Sequence, residues 1–208
     1  MILTTIFRVL NLIFDLGGVV VRWDPEAIIA GVFQDPGVRK RVREGVFGHP
    51  DWLELDRGTL DREDAIRRAA RRLGMADTEI RRLLVAVPPS LAPIPETVDL
   101  LYRLKARGNP LYCLSNMHFA SIEHLEREHR FFEVFKGIVI SCRLKLCKPE
   151  PGIYEHALKA NSLKAAETVF IDDVDVNIAA AAKAGIGTIQ FSNAAQCERE
   201  LRALGVSL

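Results

Sequence analysis

Six polar residues of this sequence stand where they could form one site for phosphoryl chemistry. They follow short apolar runs or lie in a proline-flanked loop: Asp15, Ser115, Asn116, Lys148, Asp172 and Asp173. Carboxylates brought together repel one another unless one is protonated or a cation lies between them. Asp15 with Asp173 would offer the oxygen ligands that suit Mg²⁺, and a lysine and a hydroxyl beside such a metal suit a bound phosphoryl group.

Asp15 is the candidate nucleophile of this site. A carboxylate can attack phosphorus and form an aspartyl phosphate, which splits one difficult hydrolysis into two easier steps. A metal ion beside it would offset the repulsion between the carboxylate and the incoming dianion. The structural alternatives are an Asx turn for Asp15 and helix caps or turns for the other polar residues at the ends of the runs.

Five apolar runs have the composition of buried strands, and amphipathic stretches of helical length separate most of them. The runs are Leu10–Phe14, Leu111–Leu114, Ile138–Ile140, Val169–Ile171 and Thr188–Phe191. This alternation predicts an α/β fold with a mainly parallel sheet that is covered by helices on both faces. Ligands of such sheets bind outside the carboxyl ends of the strands, which is where the six residues are expected to meet.

Helix signals are clear in the second half of the chain. One predicted helix begins at Pro95 and ends before Gly108, a second begins at Pro151, and the alanine-rich stretch Ile178–Ala184 ends at Gly185. Proline is favoured in the first turn of a helix and glycine just after the last one. These helices would connect the predicted parallel strands.

The segment 24–87 contains no convincing buried strand and reads as a helical insertion after the first strand. Its predicted helices are Asp24–Val32, Pro36–Val46, Asp61–Leu73 and Asp77–Val87. The many arginines on these helices are interpreted as solvated faces, with a phosphate- or nucleic-acid-binding face as the alternative. Pro88–Pro93 is predicted to be a stiff linker, and Asp56, Arg57 and Gly58 to form a plain turn rather than a substrate contact. Trp23 and Trp52 are expected to pack at the hinge and within the insertion.

Composition limits the possible partners. Lys and Arg number 28 against 27 Asp and Glu, so the net charge of +1 gives no basic field for nucleic acid. The four cysteines show no Cys-x-x-Cys spacing, and the apolar start of the chain lacks the features of a signal peptide. We expect a cytoplasmic protein, a monomer or homodimer, that binds neither nucleic acid nor a membrane.

Four motifs in order resemble those of the haloacid dehalogenase-like (HAD) hydrolase superfamily. They are Phe14-Asp15-Leu16-Gly17-Gly18-Val19, Leu114-Ser115-Asn116, Cys147-Lys148-Pro149-Glu150-Pro151 and Phe170-Ile171-Asp172-Asp173. The third is similar to its counterpart in the bacterial α-glucose-1-phosphate phosphatases and in the phosphatase domain of soluble epoxide hydrolase. The resemblance implies a Rossmann-like core at residues 1–22 and 92–208 and a helical cap at residues 23–91.

The resemblance also implies roles for the motif residues. Asp15 would be the nucleophile and a magnesium ligand, Ser115 and Asn116 would bind phosphoryl oxygens, and Lys148 would neutralise the charge of the nucleophile and the phosphate. Asp173 and the Gly17 carbonyl would bind magnesium, with Asp172 supporting the metal site from behind these ligands or through water. These assignments follow the position of each residue in its motif. Asn177 falls where many relatives carry another acidic residue.

Position 17 departs from the pattern of the superfamily. Many phosphatases of this group carry a second aspartate two residues after the nucleophile, which protonates the leaving oxygen and then activates water. Gly17 has no proton to exchange. His118 is a candidate substitute acid, although a surface histidine at the start of a helix is the preferred interpretation.

The leading hypothesis is a magnesium-dependent phosphatase that acts on a small phosphorylated metabolite, possibly a sugar phosphate. A 2-haloacid dehalogenase is the first alternative, because its aspartate attacks carbon and needs no metal. The second is a phosphometabolite-binding protein without activity, because Gly17 removes the usual acid and base.

Overall fold

The computed structural model describes residues 9–208, so the first eight residues of the apolar N-terminal stretch lie outside the described part. Its centre is a parallel sheet of five strands in the order β3-β2-β1-β4-β5. The strands are β1 (Asn11–Phe14), β2 (Leu111–Ser115), β3 (Gly137–Ile140), β4 (Thr168–Asp172) and β5 (Gly187–Gln190). Each of the five predicted apolar runs forms one strand, as the α/β prediction requires.

Strand β1 lies in the middle of the sheet and is buried on both faces. Leu12 and Phe14 belong to one hydrophobic cluster, and Ile13, which points the other way, belongs to a second cluster. The register pairs Phe14 with Cys113 of β2 and with Ile171 of β4. Parallel pairing in this register brings the carboxyl ends of three strands to the same edge of the sheet.

Five α-helices lie between β1 and the rest of the core. They are α1 (Pro25–Val32), α2 (Pro36–Val42), α3 (Pro50–Arg57), α4 (Arg62–Leu73) and α5 (Asp77–Ser90), and a π-helical turn, Arg43–Phe47, continues α2. Buried apolar side chains of the segment form a cluster of their own, separate from the two clusters of the sheet. The insertion therefore has its own hydrophobic core, and the exact limits of a cap at residues 23 and 91 stay a prediction.

Two predictions for this insertion are wrong. Asp56 and Arg57 end helix α3 instead of forming a turn, because Pro50 begins a helix that the ring of His49 caps by accepting the N–H of Asp51. Pro88 and Pro89 complete the last turn of α5 instead of beginning a linker. Pro88 is buried. A proline in the last turn of a helix has no N–H to donate, but the preceding turns keep their hydrogen bonds.

Six further α-helices and two short 3-10 helices, Arg130–Val134 and Ala165–Glu167, complete the described part of the core. The α-helices are α6 (Pro95–Ala106), α7 (Phe119–Glu128), α8 (Ser141–Leu144), α9 (Pro151–Ala160), α10 (Asp175–Lys183) and α11 (Ala194–Ala203). The four cysteines are free and buried. Within residues 9–208, no helix is both long and apolar enough to cross a membrane.

The insertion leaves and re-enters the core through two neighbouring segments. The N–H of Arg22 donates to the Ala92 carbonyl, and the N–H of Ile94 donates to the Val20 carbonyl, both at 2.8 Å. Val21 and Pro93 form an antiparallel bridge between these hydrogen bonds. The two connections are thus held side by side next to the end of β1.

Candidate active site

The predicted convergence at the strand ends is present. Lys148 Nζ lies 2.9 Å from Asp15 Oδ1 and 2.6 Å from Asp172 Oδ2. One carboxylate oxygen from each of Asp15, Asp172 and Asp173 lies within 4.8 Å of the others. Residues that are far apart in sequence therefore form a single cluster of three carboxylates and one ammonium.

The loop that carries Lys148 is held by the side chain of Asn116. The N–H of Lys148 donates to Asn116 Oδ1 at 2.8 Å, and Asn116 Nδ2 donates to the Lys148 carbonyl at 2.9 Å. Asn116 thus uses both ends of its amide on the backbone of one residue. This arrangement positions the lysine, whereas the sequence predicts that Asn116 binds substrate.

Asp172 is fully buried, and both of its carboxylate oxygens already have donors. Oδ2 accepts from Lys148, Oδ1 accepts from the N–H of Val174 at 2.8 Å, and Asn177 Nδ2 lies 3.2 Å from each oxygen. Asn177 thus places an amide donor at the position where the resemblance implies an acidic residue in many relatives. One carboxylate oxygen of Asp172 lies within 4.8 Å of an oxygen of Asp15 and of Asp173. The hydrogen bonds of Asp172, however, orient Lys148 and the start of α10.

Asp173 faces the turn that follows β1. Gly18 adopts φ +75°, and a Cβ atom there would collide with the Asp173 carboxylate. The left-handed backbone and the missing side chain both make glycine the residue that fits. Gly17 is different, because a Cβ atom built on it would meet only Trp23 Cβ at 3.9 Å. Space alone therefore does not require glycine at position 17.

Ser115 has a buried hydroxyl that makes no well-aligned hydrogen bond with the described residues. It lies close enough to Asp15 to help lower the pKa of that carboxyl. A buried polar atom without a partner costs about 1–3 kcal/mol, so such atoms are rare and often mark the place of a ligand. The Ser115 hydroxyl is available for an oxygen bound beside Asp15.

Burial sets the electrostatics of the cluster. Desolvation raises the pKa of Asp15 to about 6, against the lowering effect of the Lys148 ammonium. Desolvation and then the charge of Asp172 raise the pKa of Asp173. Burial would lower the pKa of Lys148, but the two carboxylates that it contacts outweigh this effect and raise it. One ammonium against three ionised carboxylates leaves negative charge uncompensated, which favours a bound cation.

Asp15, Lys148 and Asp173 of this cluster form the polar floor of a cavity of about 340 Å³ between the sheet and the insertion. Trp23 and Trp52 line the opposite side, with their rings stacked at 5.7 Å between centroids. Phe47 packs on Trp52 at 4.6 Å, and the His118 ring meets Trp52 edge-on at 5.5 Å. The tryptophans are packing residues, as predicted, and they are cavity walls as well.

His118 is not the surface histidine that the sequence predicts. Its side chain is buried, lines the cavity and caps α7, with Nε2 3.1 Å from Ser121 Oγ. Burial, together with the charge of Arg62, lowers its pKa to about 4. His118 starts a helix as predicted, but the insertion covers it, which could not be read from the local sequence.

Asp56 lines the cavity, whereas the sequence analysis weighed it as a substrate contact and preferred a plain turn. It is buried at the end of α3, and desolvation raises its pKa to about 7, against hydrogen bonds from the His118 backbone and the Trp52 side chain. The charge of Asp15 acts in the same direction as desolvation. Asp56 follows Trp52 by four residues and so shares its helix face. Recognising α3 would have placed both residues in the cavity.

Helix α3 is fastened to the core at its last turn. Ser141 Oγ donates to the Asp56 carbonyl at 2.5 Å and accepts the N–H of Met117 at 2.9 Å. Gly58 adopts φ +75°, and a Cβ atom there would come within 2.5 Å of the Cys142 carbonyl oxygen. These contacts fix the backbone of Asp56 relative to the strand ends.

Residues 11–185 match the model of the haloacid dehalogenase-like hydrolase family, which is most of the chain. The chain belongs to this family. As a HAD-like hydrolase it shares the parallel sheet described above with an enzyme from Bacteroides thetaiotaomicron that was solved with magnesium and inorganic phosphate. That structure gives a TM-score of 0.70 at 24% identity and covers 88% of this chain and 94% of its own.

Two curated relatives align with this HAD-like hydrolase over nearly their whole length. A sesquiterpene phosphatase of Aspergillus oryzae is 28% identical over 192 residues, covering 92% of this chain and 94% of the relative. A D-ribitol-5-phosphate phosphatase of Bacteroides thetaiotaomicron is 25% identical over 210 residues, covering 93% and 97%. Two further relatives are longer proteins, and the chain spans 19% of one and 35% of the other.

Proposed function

We propose that this HAD-like hydrolase is a magnesium-dependent phosphatase of small phosphorylated metabolites. The observation that carries the proposal is the buried contact between Asp15 and Lys148 beside Asp173 and the buried Ser115 hydroxyl. Two relatives that match over nearly their whole length are named phosphatases, which supports the same reaction class.

The residues at the strand ends have different roles in the proposed reaction. Asp15 attacks the phosphorus atom and forms an aspartyl phosphate, and Lys148 offsets the charge of Asp15 and of the phosphoryl group. The Ser115 hydroxyl donates to a phosphoryl oxygen. Asn116 and Asp172 act through Lys148, because they hold its backbone and its ammonium in place.

The donor set fits Mg²⁺. Asp15 and Asp173 supply carboxylate oxygens and the Gly17 carbonyl is the third candidate ligand, while Asp172 completes the acidic cluster. Hard oxygen donors with excess negative charge are the ligands that Mg²⁺ prefers. When bound, the ion supplies charge neutralisation between the nucleophile and the phosphate.

The cavity wall beyond the cluster is mainly apolar, which favours a phosphate ester of an apolar alcohol over a sugar phosphate. The apolar side chains that line it are Trp23, Trp52, Leu53, Val87, Leu91, Met117, Val174 and Val176. Sugar hydroxyls buried against such a wall would lose hydrogen bonds to water without replacement. The name of the sesquiterpene phosphatase is consistent with this preference.

Phosphate release that requires magnesium tests the reaction class. We expect the purified protein to release phosphate from p-nitrophenyl phosphate with Mg²⁺ and to lose this activity in excess EDTA, because Asp15 and the phosphate then repel each other. Chloride release from 2-chloropropionate in EDTA would instead identify a dehalogenase. Binding of phosphate esters without any turnover would identify a binding protein.

The apolar wall predicts a substrate preference. Hexyl phosphate and glucose 6-phosphate are both primary esters of six-carbon alcohols, and we expect kcat/KM for hexyl phosphate to be at least about tenfold higher, since burying a few methylenes contributes about 0.8 kcal/mol each. Leu53→Asn should reduce this preference, because Leu53 is one of the apolar residues that line the cavity. Val85→Asn is the matched control, because Val85 is an exposed apolar residue of the insertion that does not line the cavity. Equal kcat/KM for the two esters would contradict the proposal.

A further inference from the structure

Hydrolysis of an unactivated phosphate ester needs a proton at the leaving oxygen. The inference about the source of this proton rests on the proposed phosphatase function. An alkoxide is a poor leaving group, so a positioned acid contributes about 10²–10⁴-fold to such a reaction. Three acidic side chains line the described cavity, Asp15, Asp56 and Asp173. Asp15 is bound to Lys148, and Asp173 belongs to the acidic cluster of the floor.

Asp56 differs from the other two in its partners and its position. It reaches the cavity from α3, on the wall that faces the strand ends, and no lysine or arginine of the described residues lies within 4.0 Å of its carboxyl group. Its contacts are the neutral donors of Trp52 and the His118 backbone. A buried carboxyl group without a cation holds a proton more firmly than one with an ammonium partner.

We propose that Asp56 is the general acid and base of this site. In the first step an Asp15 oxygen bonds to phosphorus, the bond between phosphorus and the ester oxygen breaks, and the Asp56 proton moves to that oxygen as the alcohol forms. In the second step the Asp56 carboxylate takes a proton from water while the water oxygen bonds to phosphorus. The bond between phosphorus and Asp15 then breaks, which releases phosphate and restores both aspartates.

The structure favours Asp56 over His118 for this role. Burial lowers the pKa of His118 to about 4, whereas it raises the pKa of Asp56 to about 7. Near neutral pH the histidine has no extra proton to donate, and its ring nitrogens are engaged with Ser121. The carboxyl group is protonated in a substantial fraction of molecules. The other titratable groups that face it are the Asp15 carboxylate and the thiols of Cys142 and Cys147.

The role of Asp56 makes the reaction depend on the docked position of the insertion. Ser141 and Gly58 hold the end of α3 against the core, so Asp56 lines the same cavity as Asp15 only while these contacts are made. The nucleophile then comes from the core and the acid from the insertion, which has its own hydrophobic cluster. The acid would be withdrawn whenever the cavity opens to water.

Asp56→Asn tests the proposal with two esters that differ in the need for a proton. With p-nitrophenyl phosphate the first step needs no acid, so we expect a rapid burst of about one nitrophenolate per protein. Later turnover should be slower by about 10²-fold or more, because no base takes the proton from the attacking water. With hexyl phosphate we expect a loss of about 10²–10⁴-fold and no burst of hexanol. Intact mass should show phosphorylated protein accumulating only with the nitrophenyl ester.

Two controls separate this role from a structural one. Glu54→Gln changes an exposed carboxylate of the same helix and should leave both rates unchanged. Asp56→Asn removes a buried carboxyl group whose raised pKa destabilises the folded wild type near pH 8. The melting temperature of the variant should therefore not fall below that of the wild type at this pH. Equal losses on both esters without a burst would overturn the role of Asp56 alone. A wild-type protein that hydrolyses neither ester would overturn the phosphatase function, and the role of Asp56 with it.

Discussion

Asp15→Asn is expected to lower turnover of phosphate esters by at least about 10⁴-fold while the chain stays folded. An amide at this position cannot attack phosphorus, so no aspartyl phosphate forms. Steady-state release of nitrophenolate with Mg²⁺ measures the loss. Intact mass after rapid quenching measures the missing covalent intermediate.

Folding of this variant is expected because the substitution removes a buried charge without orphaning its partner. Desolvation already raises the pKa of Asp15 to about 6, and Lys148 keeps its contact with Asp172 at 2.6 Å. The double variant with Asp56→Asn is a further check, since it should give no phosphorylated protein at all. Covalent phosphate on either variant that lacks Asp15 would remove this residue as the nucleophile.

Lys148→Met is expected to destabilise the protein by about 3–5 kcal/mol near pH 8 and to abolish turnover. The Lys148 side chain is 1% exposed, and its ammonium is the counter-charge of Asp15 and of the fully buried Asp172. Methionine fills a similar volume but leaves two buried carboxylates without a cation. Urea unfolding without Mg²⁺ measures the free energy of unfolding at two pH values.

The loss caused by Lys148→Met should depend on pH in a defined direction. Without the ammonium, the pKa of Asp15 rises further above its ordinary value of 3.8 in the folded protein. A group whose pKa is raised by folding destabilises the folded state increasingly as pH rises above its unfolded pKa. The destabilisation should therefore be smaller near pH 4 than near pH 8.

Lys145→Met is the matched control for this experiment. Lys145 is exposed, lies three residues earlier in the same connection, and has no ion pair within the described residues. We expect its free energy of unfolding to match the wild type within about 0.5 kcal/mol at both pH values. Similar stability of the two variants near pH 8 would show that the buried lysine is not required as a counter-charge.

The strand ends could be predicted from the sequence because local signals determine them. Each buried parallel strand is a short apolar run, and the polar residue after it must lie at the edge of the sheet. Asp15, Lys148 and Asp173 were expected to meet for this reason, and the structure brings them together. Family motifs added the roles that remain proposals for these residues.

The cavity wall could not be predicted in the same way. Helix α3 is short, and its composition resembles a loop until Pro50 and the His49 cap are recognised as its start. Whether Asp56 and His118 are exposed depends on how the insertion docks on the core, which is a tertiary contact between segments distant in sequence. Local pattern carries no information about that contact.

The adjacent connections at Val21 and Pro93 have a consequence for how such proteins diversify. An insertion whose two connections to the core lie side by side can be replaced by another without changing the order or connections of the strands. The residues proposed to bind the phosphate lie on one side of this junction, and those proposed to contact the alcohol lie mainly on the other. Exchange of the insertion would change which alcohol is accepted, and with Asp56 it would also transfer or remove the proton donor.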